Sequence, residues 1–328
     1  MKTRLLVALR TLAALCVAAL ATARPLQARE LVLQDGMLRV AFDRSSGALI
    51  RLEDKTTGWV VERRPELGVS FRLFAPLPER RWNPVLGQEQ LAKKAKKLSD
   101  HEVLLQWKNL ASESDGKLPM TLTAIVTLTN GVLTFNGTLE NDSPLTVETL
   151  DYPYLGDLNP PARDSRFRVV VSRNGNPDAI RSDEIYPLFH NEHGYWGVFW
   201  PLITREAQDS LFCLMQSADE GLYIAMDVPR APYRMQYTFE LHPGVISAIT
   251  SMVPQEDEIS GIPVHLEFRT CHFLFARPHS TVKLAPIVMR CYRGDWHEGV
   301  DLYRQQRTSV ILPDGSDFPI TLSHPSAQ

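Results

Sequence analysis

Residues 186–201, YPLFHNEHGYWGVFWP, set His190, Glu192 and His193 among Tyr186, Phe189, Tyr195, Trp196, Phe199 and Trp200. Flat apolar rings beside hydrogen-bonding side chains suit a sugar, which has an apolar C–H face and a polar rim. Tyr195, Trp196 and Trp200 are the candidate stacking platforms, with Glu192 and His193 as polar ligand contacts. His190, Glu192 and His193 could also form an acid/base set for opening a hemiacetal ring, a step that needs a base at the anomeric hydroxyl and an acid at the ring oxygen. The plainer reading, a polar loop across a sheet edge with the rings in the core, is favoured over catalysis because spacing alone carries no geometry. The order His190-Asn191-Glu192-His193 matches neither helical zinc spacing, so no metal is expected. No cofactor motif is present.

The elements around this window read as β. Apolar/polar alternation recurs at 31–33, 37–42, 48–53, 59–62, 69–74, 103–107, 120–129, 132–139, 167–171, 211–215, 222–227, 235–241, 264–275 and 282–289. Asp35-Gly36 and Asn130-Gly131 mark tight hairpins. Residues 88–97, with Lys93, Lys94, Lys96 and Lys97, read as a short polar helix; 150–161 and 174–186 read as connections. His265, Glu267 and Arg269 share a strand face, which reads as a satisfied polar surface. Glu256-Asp257-Glu258 is a solvated charge run, since neighbouring acids in one turn rarely flank a glycosidic bond. One helix is predicted, at 292–309. Asp295 is its cap, and Trp296, Val300 and Tyr303 lie on one face.

The fold class expected is therefore all-β, a large antiparallel two-sheet supersandwich with one C-terminal helix. The domain plan is a signal peptide at 1–23, the sandwich at 29–291, a linker helix at 292–309 and an extended tail at 310–328. Lys2 and Arg4 precede an apolar run that ends at Ala21-Thr22-Ala23, which predicts export to a periplasmic or extracellular space. Removing residues 1–23 takes away Lys2, Arg4 and Arg10 and no acid, moving the net charge from −3 to −6. An acidic chain is a poor nucleic-acid partner, and no later stretch is long and apolar enough for a membrane span. Cys213, Cys271 and Cys291 have no disulfide-framework or metal-site spacing; Cys213 and Cys271, inside apolar alternating runs, read as small buried hydrophobes, and one pair could still be bridged in an oxidising compartment.

Two stretches carry a resemblance. The sequence GLYIAMD, residues 221–227, resembles a strand signature of a galactose-mutarotase-like β-supersandwich. That domain precedes the (β/α)8 barrel in uncharacterised bacterial glycoside-hydrolase-like proteins. The sequence YRGDWHEGVDLYR, residues 292–304, resembles the helix that links sandwich to barrel. The resemblance covers about residues 29–307 and implies a carbohydrate partner, an oligo- or polysaccharide. In that group the barrel carries the catalytic carboxylates, and these have no counterparts here. The expectation is a carbohydrate-associated, non-catalytic sandwich domain of an exported protein, with a missing or separate barrel as partner. The alternatives are an aldose 1-epimerase-like enzyme using His190, Glu192 or His193, and a polysaccharide lyase. A lyase would need a positive subsite, for which only the lysines at 93–97 and the arginines at 163–173 offer material.

Overall fold

A computed structural model describes residues 30–161, 167–186, 202–228, 231–242 and 265–309. The chain begins with a four-stranded meander: β1 (Glu30–Gln34), β2 (Leu38–Asp43), β3 (Leu49–Asp54) and β4 (Trp59–Glu62). Then come β5 (Arg72–Phe74) and β6 (Pro84–Leu86), and next β7 (Lys94–Ser99), β8 (Glu102–Ser112), β9 (Gly116–Thr129) and β10 (Val132–Asn141). β11 (Thr149–Leu155), β12 (Phe167–Arg173), β13 (Asn176–Tyr186) and β14 (Leu202–Glu206) follow. The rest are β15 (Phe212–Gln216), β16 (Glu220–Met226), β17 (Met235–His242), β18 (His265–His272), β19 (Ser280–Lys283), β20 (Ile287–Arg293) and the helix α1 (Trp296–Ser309).

Three antiparallel sheets share one core. The ten-stranded sheet runs β13-β12-β15-β16-β20-β10-β9-β8-β7, with β19 also on β10; the six-stranded sheet runs β14-β17-β18-β11-β5-β6. Leu33, Val40 and Leu52 of the small sheet, Leu122, Val126 and Met289 of the large one, and Leu73, Phe239 and Phe268 of the third belong to the same cluster. The all-β sandwich is as expected, but the material facing the large sheet is divided between two hydrogen-bonded sheets.

The large sheet changes character along its width. In β9 and β10 buried and part-exposed residues alternate, so one face meets the core and the other is wet. β15 and β16 are buried at every position. Leu222, Ile224 and Met226 face the main core, whereas Tyr223 and Ala225 face a second cluster with Phe212, Leu214, Val300 and Tyr303. α1 covers that second face, which is why these strands lack alternation. Asp295 caps α1, its Oδ1 accepting the His297 N–H at 2.9 Å. Val300 at 2% and Tyr303 at 9% exposure anchor the helix, while Trp296 is only half-buried. The predicted apolar face of Trp296, Val300 and Tyr303 is thus turned onto the sandwich, Val300 and Tyr303 fully and Trp296 in part.

Local chemistry explains the joints. Asn130 and Gly131 both take positive φ, 51° and 74°, as a two-residue hairpin between β9 and β10 requires. Asp35 accepts the Gly131 N–H at 2.6 Å and so ties this hairpin to the β1–β2 turn. Gly47 must be glycine: its φ is 73°, and a Cβ there would sit 2.4 Å from the Trp107 ring. That close approach lets Trp107 donate to the Ser46 carbonyl at 2.7 Å.

Four sequence assignments need correction. Residues 88–97 hold no α-helix; a short 3-10 turn at Gly87–Glu89 leads to β7, whose lysines line an edge strand and discourage further pairing. Residues 150–161 contain β11, and 174–186 contain β13. The predicted strand at 282–289 is two, β19 and β20.

Candidate functional site

The expected site residues His190, Glu192, His193, Tyr195, Trp196 and Trp200 lie outside the described residues. The structure instead brings together a polar constellation on the six-stranded sheet, on the face turned away from the core. Strand alternation puts Leu266, Phe268 and His272 of β18 inward, so His265, Glu267, Arg269 and Cys271 point the other way. Register aligns these with neighbours: Gln236 with Cys271, Thr238 with Arg269 and Glu240 with Glu267 on β17, and Asp151 on β11 with both Cys271 and Arg72.

A bulge completes the face. Between Asp151 and Tyr154, β11 advances three residues while β18 advances two, from Cys271 to Arg269. The extra residue turns Tyr154, otherwise an inward position, onto the side of Arg269. It also frees the Tyr152 carbonyl from the ladder. His272 supplies the missing donor, its Nε2–H reaching Tyr152 O at 2.6 Å. Its Nδ1 then accepts from the Tyr233 hydroxyl at 3.1 Å, which itself accepts the Ala285 N–H at 2.6 Å. Burial pushes the His272 pKa down to about 4, against the pull of the Tyr152 hydrogen bond and the Asp151 charge. The ring is therefore neutral, with its tautomer fixed by the two partners.

Charge on the outer face is tightly paired. Asp151, 4% exposed, takes Arg72 Nε at 2.8 Å and Arg269 Nε at 3.3 Å on one oxygen. Arg269, 7% exposed, also reaches Glu240 Oε2 at 2.6 Å. Its Nη1 lies 3.7 Å from Glu267 Oε2 and has no hydrogen-bond acceptor among the described residues. Tyr154 donates to Glu267 Oε2, and His265 Nε2 stands 3.5 Å from Glu267 Oε1. Burial opposes the charge on Arg72, but Asp151 and Tyr154 outweigh it and raise the pKa. Arg269 is likewise raised, with Tyr154 and Asp151 working against burial. Burial, then Glu267, holds the Tyr154 hydroxyl protonated. Burial, then the Asp151 charge, pushes the Cys271 thiol up, so it is no nucleophile at neutral pH.

A cleft of about 460 Å3 opens over this floor, lined by Arg72, Asp151, Arg269, Thr204, Gln236 and Thr238, with Phe74 and Trp82 on its wall. Trp82 is 58% exposed and stands 5.9 Å from Phe74, centroid to centroid. Its indole N–H donates to Glu113 at 3.1 Å, which fixes the ring. The arrangement offers an aromatic wall and a floor of donors and acceptors. Among the described residues no group of three or more His, Cys, Asp or Glu is placed to hold a metal ion, and no helix is long and apolar enough to cross a membrane.

Of this constellation, sequence alternation revealed only His265, Glu267 and Arg269. Arg72 and Asp151 stood alone in the sequence, and Trp82 followed a Pro-rich loop; strand register was the missing signal.

No family model and no curated protein matches the chain. Among solved structures it is similar to a galactose mutarotase-related enzyme from Lactobacillus acidophilus, at 10% identity over 81% of this chain and 98% of that one, with a TM-score of 0.49. A galactose mutarotase-like protein from Lactobacillus casei matches at 11% identity over 80% and 99%, TM-score 0.46. An alpha-galactosidase from Lactobacillus brevis matches at 9% identity over 84% of this chain and 42% of that one, TM-score 0.47. Two of these are galactose-mutarotase-like, the kind of protein that residues 221–227 and 292–304 resemble. Likeness at such identities describes the course of the chain and brings no residue role with it.

Proposed function

We propose that this chain is a carbohydrate-binding sandwich of an exported protein, taking a neutral sugar in the cleft of the six-stranded sheet. One observation carries the reading: an exposed, fixed indole, Trp82, beside Phe74 on the wall of a cleft whose floor is hydroxyl, amide and guanidinium. An apolar sugar face stacks on such a wall, and the ring hydroxyls meet Thr204, Gln236 and Thr238. Export rests on the leader-like composition of residues 1–23.

Charge favours this reading over the lyase alternative. Arg72 and Arg269 face Asp151, Glu240 and Glu267, so among the described residues the floor has no positive excess with which to hold a uronate carboxylate. Each carboxylate of the floor is already engaged by an arginine or a tyrosine, which favours binding over acid/base turnover. The epimerase-like alternative draws support from one grouping, Glu267 between Tyr154 and His265, a base beside two proton carriers.

The test is calorimetric titration of the full chain with neutral gluco-, galacto-, manno- and xylo-oligosaccharides, followed also by tryptophan fluorescence. Wild type binds at least one series, and Trp82→Ala loses about tenfold or more in affinity with an unchanged melting temperature. Binding that survives Trp82→Ala intact refutes the assignment. Accelerated mutarotation of glucose or galactose that disappears in Glu267→Gln, with the fold retained, promotes the epimerase-like reading.

A further inference from the structure

A second cleft, also about 460 Å3, lies farther along the same face and is lined by Glu206, Tyr233, Arg234, Gln236, Phe273, Leu274 and Phe275. Gln236 lines both clefts, so the two are adjoining parts of one groove. Each part has its own aromatic. Among the described side chains the exposed aromatics are Trp82 and Phe275, each at 58%, and both border this groove. Chance placement of a lone exposed ring needs no account, but here both exposed rings meet one groove.

The two rings are held in a fixed relation. Phe275 takes a φ of 44°, a left-handed conformation that a bulky residue adopts only when its surroundings impose it. Its N–H donates to the Glu148 carbonyl at 3.3 Å, while the Glu148 N–H donates to the Phe74 carbonyl at 2.9 Å. The Glu148 carboxylate grips Arg81, the residue before Trp82, at 2.6 and 3.1 Å. One residue thus links the backbone under Phe275 to Phe74 and to the loop that carries Trp82. At the second cleft the rim is polar, with Arg234 paired to Glu206.

We infer that the groove holds at least two sugar units, Trp82 and Phe74 facing one and Phe275 the next, so that the ligand class is a neutral oligosaccharide rather than a free monosaccharide. The inference rests on the carbohydrate reading above and extends it. Each cleft alone is within the roughly 300–1,000 Å3 of small-molecule sites, and at the second an exposed aromatic, Phe275, is held in a left-handed backbone conformation. Gln236, between the two, is placed to meet the inter-unit linkage.

The experiment compares chain lengths of one to six units within whichever of the four neutral series binds. Affinity should rise about tenfold from one unit to two or three and then level off. Phe275→Ala should abolish most of that gain while leaving monosaccharide affinity unchanged, and Arg234→Ala, on a side chain 71% exposed, should reduce it in the same direction. Far-UV circular dichroism and melting temperature establish that both variants fold. Affinity independent of chain length, or Phe275→Ala with the full gain retained, overturns the second subsite and leaves the first standing. Binding of no member of any series overturns the carbohydrate reading itself, and the second subsite with it.

Discussion

Acidification should unlock the bulge beneath the groove, and its size follows from one histidine. His272 is neutral in the fold because burial lowers its pKa from 6.5 to about 4. In the unfolded chain it takes up a proton as pH falls through 6.5. Its contribution is fully present above 6.5, shrinks as pH falls, and is gone below about 4, where both states are protonated. The whole difference is about 3 kcal/mol at roughly 1.4 kcal/mol per pH unit, and between pH 7.5 and pH 5 about 2 kcal/mol of it is lost. Denaturant titration of wild type and His272→Gln at pH 7.5, 6.5, 5.5 and 5 reads this out. The glutamine amide can donate to Tyr152 O but does not titrate. Wild type alone gives a composite slope, because the buried carboxyl of Glu62 contributes with the opposite sign over the same range. The difference between the two proteins cancels that term. His272→Gln is expected to be the less stable at pH 7.5 and to close the gap by about 2 kcal/mol at pH 5. Parallel curves across the range would falsify the claim that His272 is held neutral by its burial.

Glu62 supplies a second expectation: burial, above all, raises its pKa well above 4.5, so the fold loses stability as pH rises and the carboxyl must ionise. Glu62→Gln should be more stable than wild type at pH 8, with a margin that narrows toward pH 5; a margin independent of pH is the contrary result. For the helix, Tyr303→Ala should cost about 3 kcal/mol and Trp296→Ala about 1 kcal/mol or less, reflecting their burial. Thermal melts rank the two, and the reverse order would move the helix anchor to Trp296.

Much of the sandwich was legible in the sequence because half of each strand in β8–β10 is wet, and wet faces write alternation into the chain. The hairpin at Asn130-Gly131 was legible for a similar reason, since both residues accept positive φ. β7 was misread because its lysines are what an edge strand needs and also what a polar helix shows. β11 was missed because Pro153 and its bulge interrupt the pattern. The groove was hidden for a different reason. Arg72, Asp151 and Arg269 come from three strands far apart in sequence and meet only through register, which no local pattern encodes. Of the aromatic window at 186–201, which dominated the sequence reading, only Tyr186 lies among the described residues, as the last residue of β13, in register with Phe167.

The position of β20 has a consequence for how the molecule comes into being. It lies between β16 and β10 in the large sheet, joining Thr134 to Val288 and Tyr223 to Arg290. Until residues 287–293 are available, β16 has an open edge where β20 belongs, and the large sheet exists as two unconnected halves. Closure therefore waits on nearly the whole described chain, and pairings so distant in sequence form slowly. A nascent chain spends that interval with unpaired strand edges accessible to other chains. Deleting β20 would leave two sheet fragments with a gap at their centre. The last strand among the described residues is thus the keystone of assembly, and the time taken to synthesise it sets the earliest moment at which the large sheet can close.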